Sequence, residues 1–246
     1  MGDEGQPLAG GNVGGAWRVG DTVRRATGPW TPAVHALLDH LGPRLAHIPE
    51  VLGFDEVGRE VLSYLPGKIV DVDTEMLTER QLCSIVTWTH SLHEAVGTFT
   101  HQGPWRFLEV EAPTLIGHND IAPYNACFDG DELVGVFDWD FAGPSTALLE
   151  LAFIAWNCVP LWRDIGAEFA AARLQLIASS YGSSQASDIL GAVEPRIQLM
   201  LDWIPRAAAA GDQGIGNLMR GGEPERSQQA LDDLRRRTPA IAARLH

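Results

Sequence analysis

The chain has 246 residues, which allows one large domain or two small lobes. Its hydrophobic content of 45% is ordinary for a protein with a sizeable core, and its formal net charge of −14 argues against binding to nucleic acid while fitting a cationic small molecule. Lys68 is the only lysine, so a function that normally uses lysine must use Lys68 or an arginine.

The three cysteines indicate neither a disulfide framework nor a zinc cluster, because Cys83, Cys127 and Cys158 lie far apart and no C-x-x-C is present. A reducing, cytoplasmic environment is therefore expected. The N-terminus has no secretory signal pattern, and the most apolar run, residues 147–162, is interrupted by polar residues and a proline. We expect no membrane association, and either a monomer or a dimer fits the sequence.

The first elements are a glycine-dense loop, LAGGNVGG at 8–15, and two short strands around a Gly20-Asp21 turn. Alternating side chains on either side of a Gly-Asp turn predict a β-hairpin. A glycine loop that leads into a strand lets the backbone approach a phosphate closely. No strand is predicted before this loop.

The rest of the first third is predicted to be one helix and a second hairpin. Pro32 favours the first turn of the helix over 33–41, with Thr31 as its N-cap, and Gly42-Pro43 ends it. Strands are predicted at 51–55 and 60–65. Residues 1–66 are therefore predicted to form a small α+β lobe, which ends at Pro66-Gly67.

Residues 67–246 are predicted to form a larger, mainly helical lobe. An amphipathic helix follows Thr74, and a hairpin is predicted at 126–128 and 133–137 around Asp129-Gly130. From Ser145 onward only helices are predicted. The expected breaks lie near Pro160, Tyr181-Gly182, Pro195, Pro205 and 211–222, with a loop at 221–229.

The stretch LIGHNDIAPYNACFDGDELVGVFDWDFAGPSTALLEL at 115–151 carries the chemistry. His118, Asp120 and Asn125 have the spacing H-x-D-x-x-x-x-N, and Asp138 and Asp140 follow the predicted hairpin. Phosphoryl transfer needs a carboxylate that takes the acceptor proton and oxygen ligands for a metal ion. Asp120 is the candidate base, and Asn125 and Asp138 are candidate Mg²⁺ ligands.

The segment GHNDIAPYN resembles the catalytic loop of the aminoglycoside phosphotransferase family, and FDWDFAGPSTALLELA resembles its metal-binding segment. The resemblance implies a bilobal, protein-kinase-like α+β fold. It also implies that Asp120 is the catalytic base, that His118 is a structural part of the catalytic site, and that Asn125 and Asp138 hold Mg²⁺.

The resemblance further assigns a nucleotide site and an acceptor site. The phosphates of ATP or GTP would lie under Gly11, Asn12 and Gly14, and the purine edge against the hinge residues Ser63, Tyr64 and Leu65. Arg24 is the nearest match to the family's phosphate-binding lysine, with Arg25 and Arg18 as rivals. The first helix lacks the usual glutamate partner and has His35 near that place. Asp140 and Glu150 are expected near the acceptor.

The sequence therefore predicts a Mg²⁺-dependent kinase that transfers the γ-phosphoryl group of ATP or GTP to a hydroxyl of a small molecule, with an aminoglycoside-type antibiotic as one candidate. Two alternatives remain open at this stage. One is a nucleotide-binding module without transferase activity. The other is a metal-dependent hydrolase that uses His118, Asp120, Asp138 and Asp140.

Overall fold

The computed structural model describes residues 5–8, 15–72, 74–107 and 110–245. It confirms the α+β class, because a small antiparallel sheet with one helix precedes a mostly helical remainder. None of the helices in these ranges is both long and apolar enough to cross a membrane.

The N-terminal part is a five-stranded antiparallel sheet with the strand order β1-β2-β3-β5-β4. Its strands are β1 (Gln6–Leu8), β2 (Ala16–Val19), β3 (Thr22–Arg25), β4 (Val51–Phe54) and β5 (Glu60–Ser63). The hairpin around Gly20 is confirmed, and Gly20 has the positive φ of 60° that this tight turn requires. The prediction that no strand precedes the glycine loop is wrong, since β1 pairs with β2. Gly11, Asn12 and Gly14 come between β1 and β2 in the sequence and are outside the described residues.

Helix α1 (Thr31–Leu41) is confirmed, although Trp30 and not Thr31 is its N-cap. It buries one apolar stripe, which consists of Val34, Leu37, Leu38 and Leu41. These side chains belong to the same core cluster as those of the helical part, so the two parts are packed together.

The middle of the chain frames the catalytic stretch with two small antiparallel sheets. One joins β7 (Leu115–Gly117) to β10 (Gly143–Ser145); the other has the order β6-β8-β9. Its strands are β6 (Lys68–Ile69), β8 (Ala126–Asp129) and β9 (Glu132–Val136). Helix α2 (Glu79–Ala95) precedes them and begins with a capping box in which Thr78 and Gln81 bond reciprocally.

The remaining helices are α3 (Ala147–Cys158), α4 (Ala167–Tyr181), α5 (Ala186–Ala209), α6 (Gln213–Arg220) and α7 (Glu223–Ala242). The expected breaks near Pro160 and Tyr181-Gly182 are confirmed, whereas the break expected over 211–222 is wrong for most of its length, because α5 ends at Ala209 and α6 occupies Gln213–Arg220. The breaks at Pro195 and Pro205 and the loop at 221–229 are wrong. Each internal proline removes one hydrogen bond from α5, but a long buried face, which includes Val193, Ile197 and Leu201, outweighs that loss. The lobe boundary at 66/67 stays a prediction.

Candidate active site

Two sheet pairings bring the distant parts of the catalytic stretch together. Gly117 at the end of β7 lies opposite Gly143 of β10. The β8–β9 hairpin places Val136, at the end of β9, opposite Ala126, at the start of β8. The N–H of Phe137 donates to the carbonyl of Asn125 at 3.0 Å. The residues that follow β7, precede β8 and follow β9 therefore meet at one place.

His118 is fully buried and structural in its contacts. Its Nε2 donates to the carbonyl of Phe137 at 3.2 Å, its Nδ1 accepts from the N–H of Asp120 at 3.3 Å, and its ring lies 4.6 Å from that of Trp139. Burial lowers the pKa of His118, so the neutral ring is favoured. The His118 ring therefore connects the loop of Asp120 to the loop of Asp138. Both ring nitrogens are used in these bonds and neither is left for a metal ion, which disfavours the hydrolase alternative.

Asp120 lies beside Asn125, whose Nδ2 donates to the Asp120 Oδ2 at 2.8 Å and to its carbonyl at 3.0 Å. Withdrawal from water, and then the nearby Asp138 carboxylate, raise the pKa of Asp120 well above its usual range. A carboxylate with a raised pKa is a stronger proton acceptor. Since Asn125 uses its amide nitrogen here, its amide oxygen is the atom suited to a metal ion.

Asp138 and Asp140 both face the guanidinium of Arg25. The Asp138 Oδ1 accepts from Nη1 at 3.1 Å, and the Asp140 Oδ1 accepts from Nη2. Asp138 has the left-handed backbone conformation, with φ 62° and ψ 66°, which is costly for a residue other than glycine and is concentrated at functional sites.

Arg25, one of the two rivals to Arg24, is therefore the arginine that the structure places at the acids. Neighbouring residues of a strand point to opposite faces, and Arg24 pairs with Asp55 at 3.5 Å instead. Burial works against the charged form of Arg25, but Asp140, Asp138 and Glu60 outweigh it and raise its pKa.

The carboxylate partner of Arg25 comes from a strand and was missed in the sequence. Glu60 lies opposite Arg25 in the β3–β5 pairing, forms an ion pair with its Nε at 3.1 Å, and contacts the Nε2 of His35 at 2.9 Å. His35 on α1 lies where the resemblance led us to expect a glutamate. It contacts Glu60, and this glutamate of β5 pairs with Arg25 instead.

Arg106 forms a second cationic contact that sequence reasoning missed. Its Nη1 donates to the Asp140 Oδ2 at 3.1 Å, and its Nε and Nη2 form a two-point contact with Asp212 at 2.8 Å each. The guanidinium also lies 4.3 Å from the ring of Trp30. Asp140 is thus enclosed by two arginines, so it does not face an acceptor as the sequence led us to expect.

Glu150 lies beneath the catalytic loop, which also differs from the acceptor position expected for it. It is 2% exposed, and its two oxygens accept the backbone N–H groups of His118 at 2.9 Å and Asn119 at 2.7 Å. Burial opposes its ionisation, but His93, whose Nε2 lies 3.8 Å from Oε2, and the charge of Arg196 outweigh it, and the pKa of Glu150 is lowered. A Cβ at Gly117 would lie 2.6 Å from the Glu150 carboxyl carbon, so only glycine leaves room for it.

Arg196 of α5 holds the same loop from the other side. Its Nη2 donates to the carbonyl of Asn119 at 2.7 Å, and its guanidinium lies between the rings of Phe107 and Phe153, at 4.7 and 4.5 Å. Burial lowers the pKa of Arg196 to about 10. Asn119 has a φ of 63°, an unfavourable backbone conformation for a residue other than glycine. Glu150 binds the N–H of Asn119 and Arg196 binds its carbonyl, so the two side chains stabilise this conformation.

The hinge residues lie at the end of β5, and two of the three use their N–H groups internally. Ser63 donates to the carbonyl of Glu50 at 3.0 Å, and Tyr64 to that of Asp21 at 2.9 Å. Leu65 makes no such bond to any described residue, so among the three its N–H is the donor left for a ligand.

The donor set around Asp138 suits Mg²⁺. The described residues contain no group of three or more His, Cys, Asp or Glu side chains arranged to hold a metal ion. Mg²⁺ is commonly bound by one or two protein oxygens together with water and nucleotide phosphates, and the oxygens of Asp138 and Asn125 meet that requirement.

The fold and this arrangement define a protein-kinase-like phosphotransferase. The model of the phosphotransferase enzyme family matches residues 104–183, a range that includes the whole catalytic stretch. The trifolitoxin immunity protein of Rhizobium leguminosarum bv. trifolii is 33% identical over 195 residues, which are 72% of this chain and 74% of that protein. The chain belongs to the phosphotransferase enzyme family.

Solved structures of low sequence identity share the fold. The GDP and kanamycin complex of APH(2")-IIia has a TM-score of 0.62 at 13% identity, with 96% of this chain and 94% of that chain covered. A choline/ethanolamine kinase family protein from Mesorhizobium loti has a TM-score of 0.56 at 17% identity and covers 94% and 93%. APH(3'')-Id from Streptomyces rimosus, bound to ADP and streptomycin, has a TM-score of 0.58 at 15% identity and covers 81% and 92%. The protein-kinase-like fold predicted from the sequence is confirmed, and family membership supports kinase-type chemistry.

Proposed function

We propose that the protein is a Mg²⁺-dependent phosphotransferase that moves the γ-phosphoryl group of ATP or GTP to a hydroxyl of a small molecule. One observation carries the proposal: Asp120 is hydrogen bonded to Asn125 and lies near Asp138, and Arg25 pairs with Asp138 and Asp140. The candidate base, the two candidate metal ligands and the phosphate-binding cation thus lie together, with Arg25 supplied by β3 of the N-terminal sheet and the other residues by the catalytic stretch.

Each group has a role in transfer. Asp120 orients the acceptor hydroxyl and takes its proton as the oxygen attacks the γ-phosphorus in line with the leaving diphosphate. Arg25 binds the phosphates with its planar fork, in place of the usual lysine. Asn125 and Asp138 would hold Mg²⁺, which would supply neutralisation of the phosphate charge. Glu150, His118 and the hydrogen bonds around Asn119 fix the loop that carries the base, and the N–H of Leu65 receives the purine.

The acceptor class is proposed from the relatives. The names of three matched proteins mention trifolitoxin immunity, kanamycin and streptomycin. We propose that this protein phosphorylates a hydroxyl of a toxin or antibiotic in the cytoplasm, where ATP and GTP are available. The formal net charge of −14 favours a cationic acceptor.

The test is a screen of aminoglycosides, amino alcohols and hydroxyl-bearing peptide toxins with ATP or GTP and Mg²⁺. Phosphorylated product is detected by mass spectrometry, and Asp138→Asn serves as the inactive control. The proposal expects a product that requires nucleotide, Mg²⁺ and Asp138. Equal product with wild type and Asp138→Asn contradicts it.

A second candidate function is nucleotide binding without transfer. It is favoured by the ion pairs of Arg25 with Asp138 and Asp140, because they occupy the cation and the carboxylates that phosphate transfer would need. Calorimetry with ATP or GTP and Mg²⁺ separates the two candidates: binding without turnover on any acceptor supports the second, and product formation excludes it.

A further inference from the structure

The two carboxylate oxygens of Asp120 are held very differently. Oδ2 accepts a short hydrogen bond, at 2.8 Å, from the Asn125 amide. Oδ1 meets only the hydroxyl of Tyr124 among the hydrogen bonds of the described residues, at 3.4 Å. Hydroxyl-to-oxygen hydrogen bonds ordinarily measure about 2.5–3.0 Å, so this contact is weak and easily exchanged. Oδ1 is therefore the atom available to accept a proton.

Tyr124 is the exception to the burial of its loop. Every other residue from Gly117 to Phe128 is buried or half-buried, whereas Tyr124 is 44% exposed. It stands between the buried Pro123 and Asn125 in a short 3-10 helix, which fixes its direction. An aromatic ring that the loop leaves in solvent beside the candidate base offers a surface to a ligand.

We propose that Tyr124 determines acceptor specificity: the acceptor hydroxyl replaces the Tyr124 hydroxyl at the Oδ1 of Asp120, and the acceptor's neighbouring apolar face packs on the Tyr124 ring. This inference rests on the proposed phosphotransferase function. It narrows the acceptor to molecules whose reactive hydroxyl adjoins an apolar face, such as a sugar ring or an apolar side chain. Proton transfer then runs from the acceptor hydroxyl to Oδ1, while the acceptor oxygen bonds to the γ-phosphorus and the nucleoside diphosphate leaves.

The test compares Tyr124→Phe and Tyr124→Ala with the wild type. Phe169→Ala is the matched control, because Phe169 on α4 is an aromatic residue with the same exposed fraction, 44%. Three quantities are measured: nucleotide affinity by calorimetry, Mg²⁺-dependent release of phosphate from ATP or GTP without acceptor, and KM for an acceptor found in the screen.

Tyr124→Phe frees Oδ1 for water, and we expect acceptor-independent phosphate release to rise about two- to fivefold, the effect of one weak hydrogen bond. Tyr124→Ala also removes the ring, and we expect KM for the acceptor to rise about tenfold, as for a lost aromatic contact. Nucleotide affinity stays at the wild-type value in both variants, and Phe169→Ala changes none of the three quantities.

Unchanged phosphate release and unchanged KM in both Tyr124 variants of an active enzyme overturn this inference and leave the proposed function intact. A parallel loss of nucleotide affinity also overturns it, because Tyr124 would then serve the donor side. Phosphorylation of Tyr124 itself, seen by peptide mass spectrometry, contradicts it since the hydroxyl would be the acceptor. A wild-type protein without any nucleotide turnover overturns both this inference and the proposed function.

Discussion

Replacement of Glu150 by Gln tests whether the buried carboxylate holds the catalytic loop. Both oxygens accept backbone N–H groups, from His118 and Asn119, and glutamine can supply only one acceptor while its NH₂ group faces the other N–H. A hydrogen bond to a charged group contributes about 1.5–3 kcal/mol, and a buried donor left unpaired costs a further ~1–3 kcal/mol. We expect the free energy of unfolding to fall by about 3 kcal/mol, which lowers Tm by about 6–12 °C for a chain of this size.

The assay is denaturant and thermal unfolding of the wild type, Glu150→Gln and the exposed control Glu168→Gln. The pKa of Glu150 is lowered in the folded protein, so its stabilisation is present above its unfolded pKa and is lost as pH falls through the folded value. The difference between wild type and Glu150→Gln therefore shrinks in acid. A Glu150→Gln protein as stable as the Glu168→Gln control at neutral pH refutes the reasoning, as does a difference that grows in acid.

Two further predictions follow from the arginines. Arg25→Met removes the cation that Glu60, Asp138 and Asp140 share, so we expect a loss of about 3 kcal/mol in unfolding free energy together with weaker nucleotide binding, whereas the control Arg24→Met on the opposite face of the strand loses about 0–1 kcal/mol. Denaturant unfolding and calorimetry check this, and equal effects of the two variants contradict it. Arg196→Met releases the carbonyl of Asn119, and we expect turnover to fall about tenfold or more with nucleotide affinity unchanged. Wild-type turnover in that variant would remove Arg196 from the positioning of the loop.

The catalytic stretch was predictable because its geometry is local. His118, Asp120, Asn125 and Asp138 lie within one short segment, and the hairpin signal at Asp129-Gly130 predicts that its ends return to one place. The hairpin of the first lobe and helix α1 were predictable for the same reason, since turn residues and periodicity are read within a few positions.

The contacts that complete the site depend on parts of the chain that are far apart in sequence. The pairing of Arg25 with Glu60 requires the register of β3 against β5, which no turn connects directly. The contact of Arg196 with Asn119 joins α5 to the catalytic loop across many intervening elements. Local patterns carry no information on such registers and packing angles, so these partners were missed.

The same limit explains the errors in the helical tail. Pro195 and Pro205 predict helix ends, but α5 continues through both because its apolar face is buried along its length. Glu150 was predicted to lie near the acceptor because it follows the metal-binding segment in sequence. In the structure, helix α3 directs its side chain to the backbone of the catalytic loop, at His118 and Asn119.

The most direct test of the account is the rate of phosphoryl transfer by Asp120→Asn, measured beside its nucleotide affinity. General-base catalysis contributes about 10²–10⁴-fold, so transfer to the acceptor, or to water if no acceptor has been found, is expected to fall by that factor. Nucleotide affinity in the presence of Mg²⁺ is expected to remain near the wild-type value. An Asp120→Asn variant that transfers phosphate at the wild-type rate would contradict the assignment of Asp120 as the base, and with it the proposed active site.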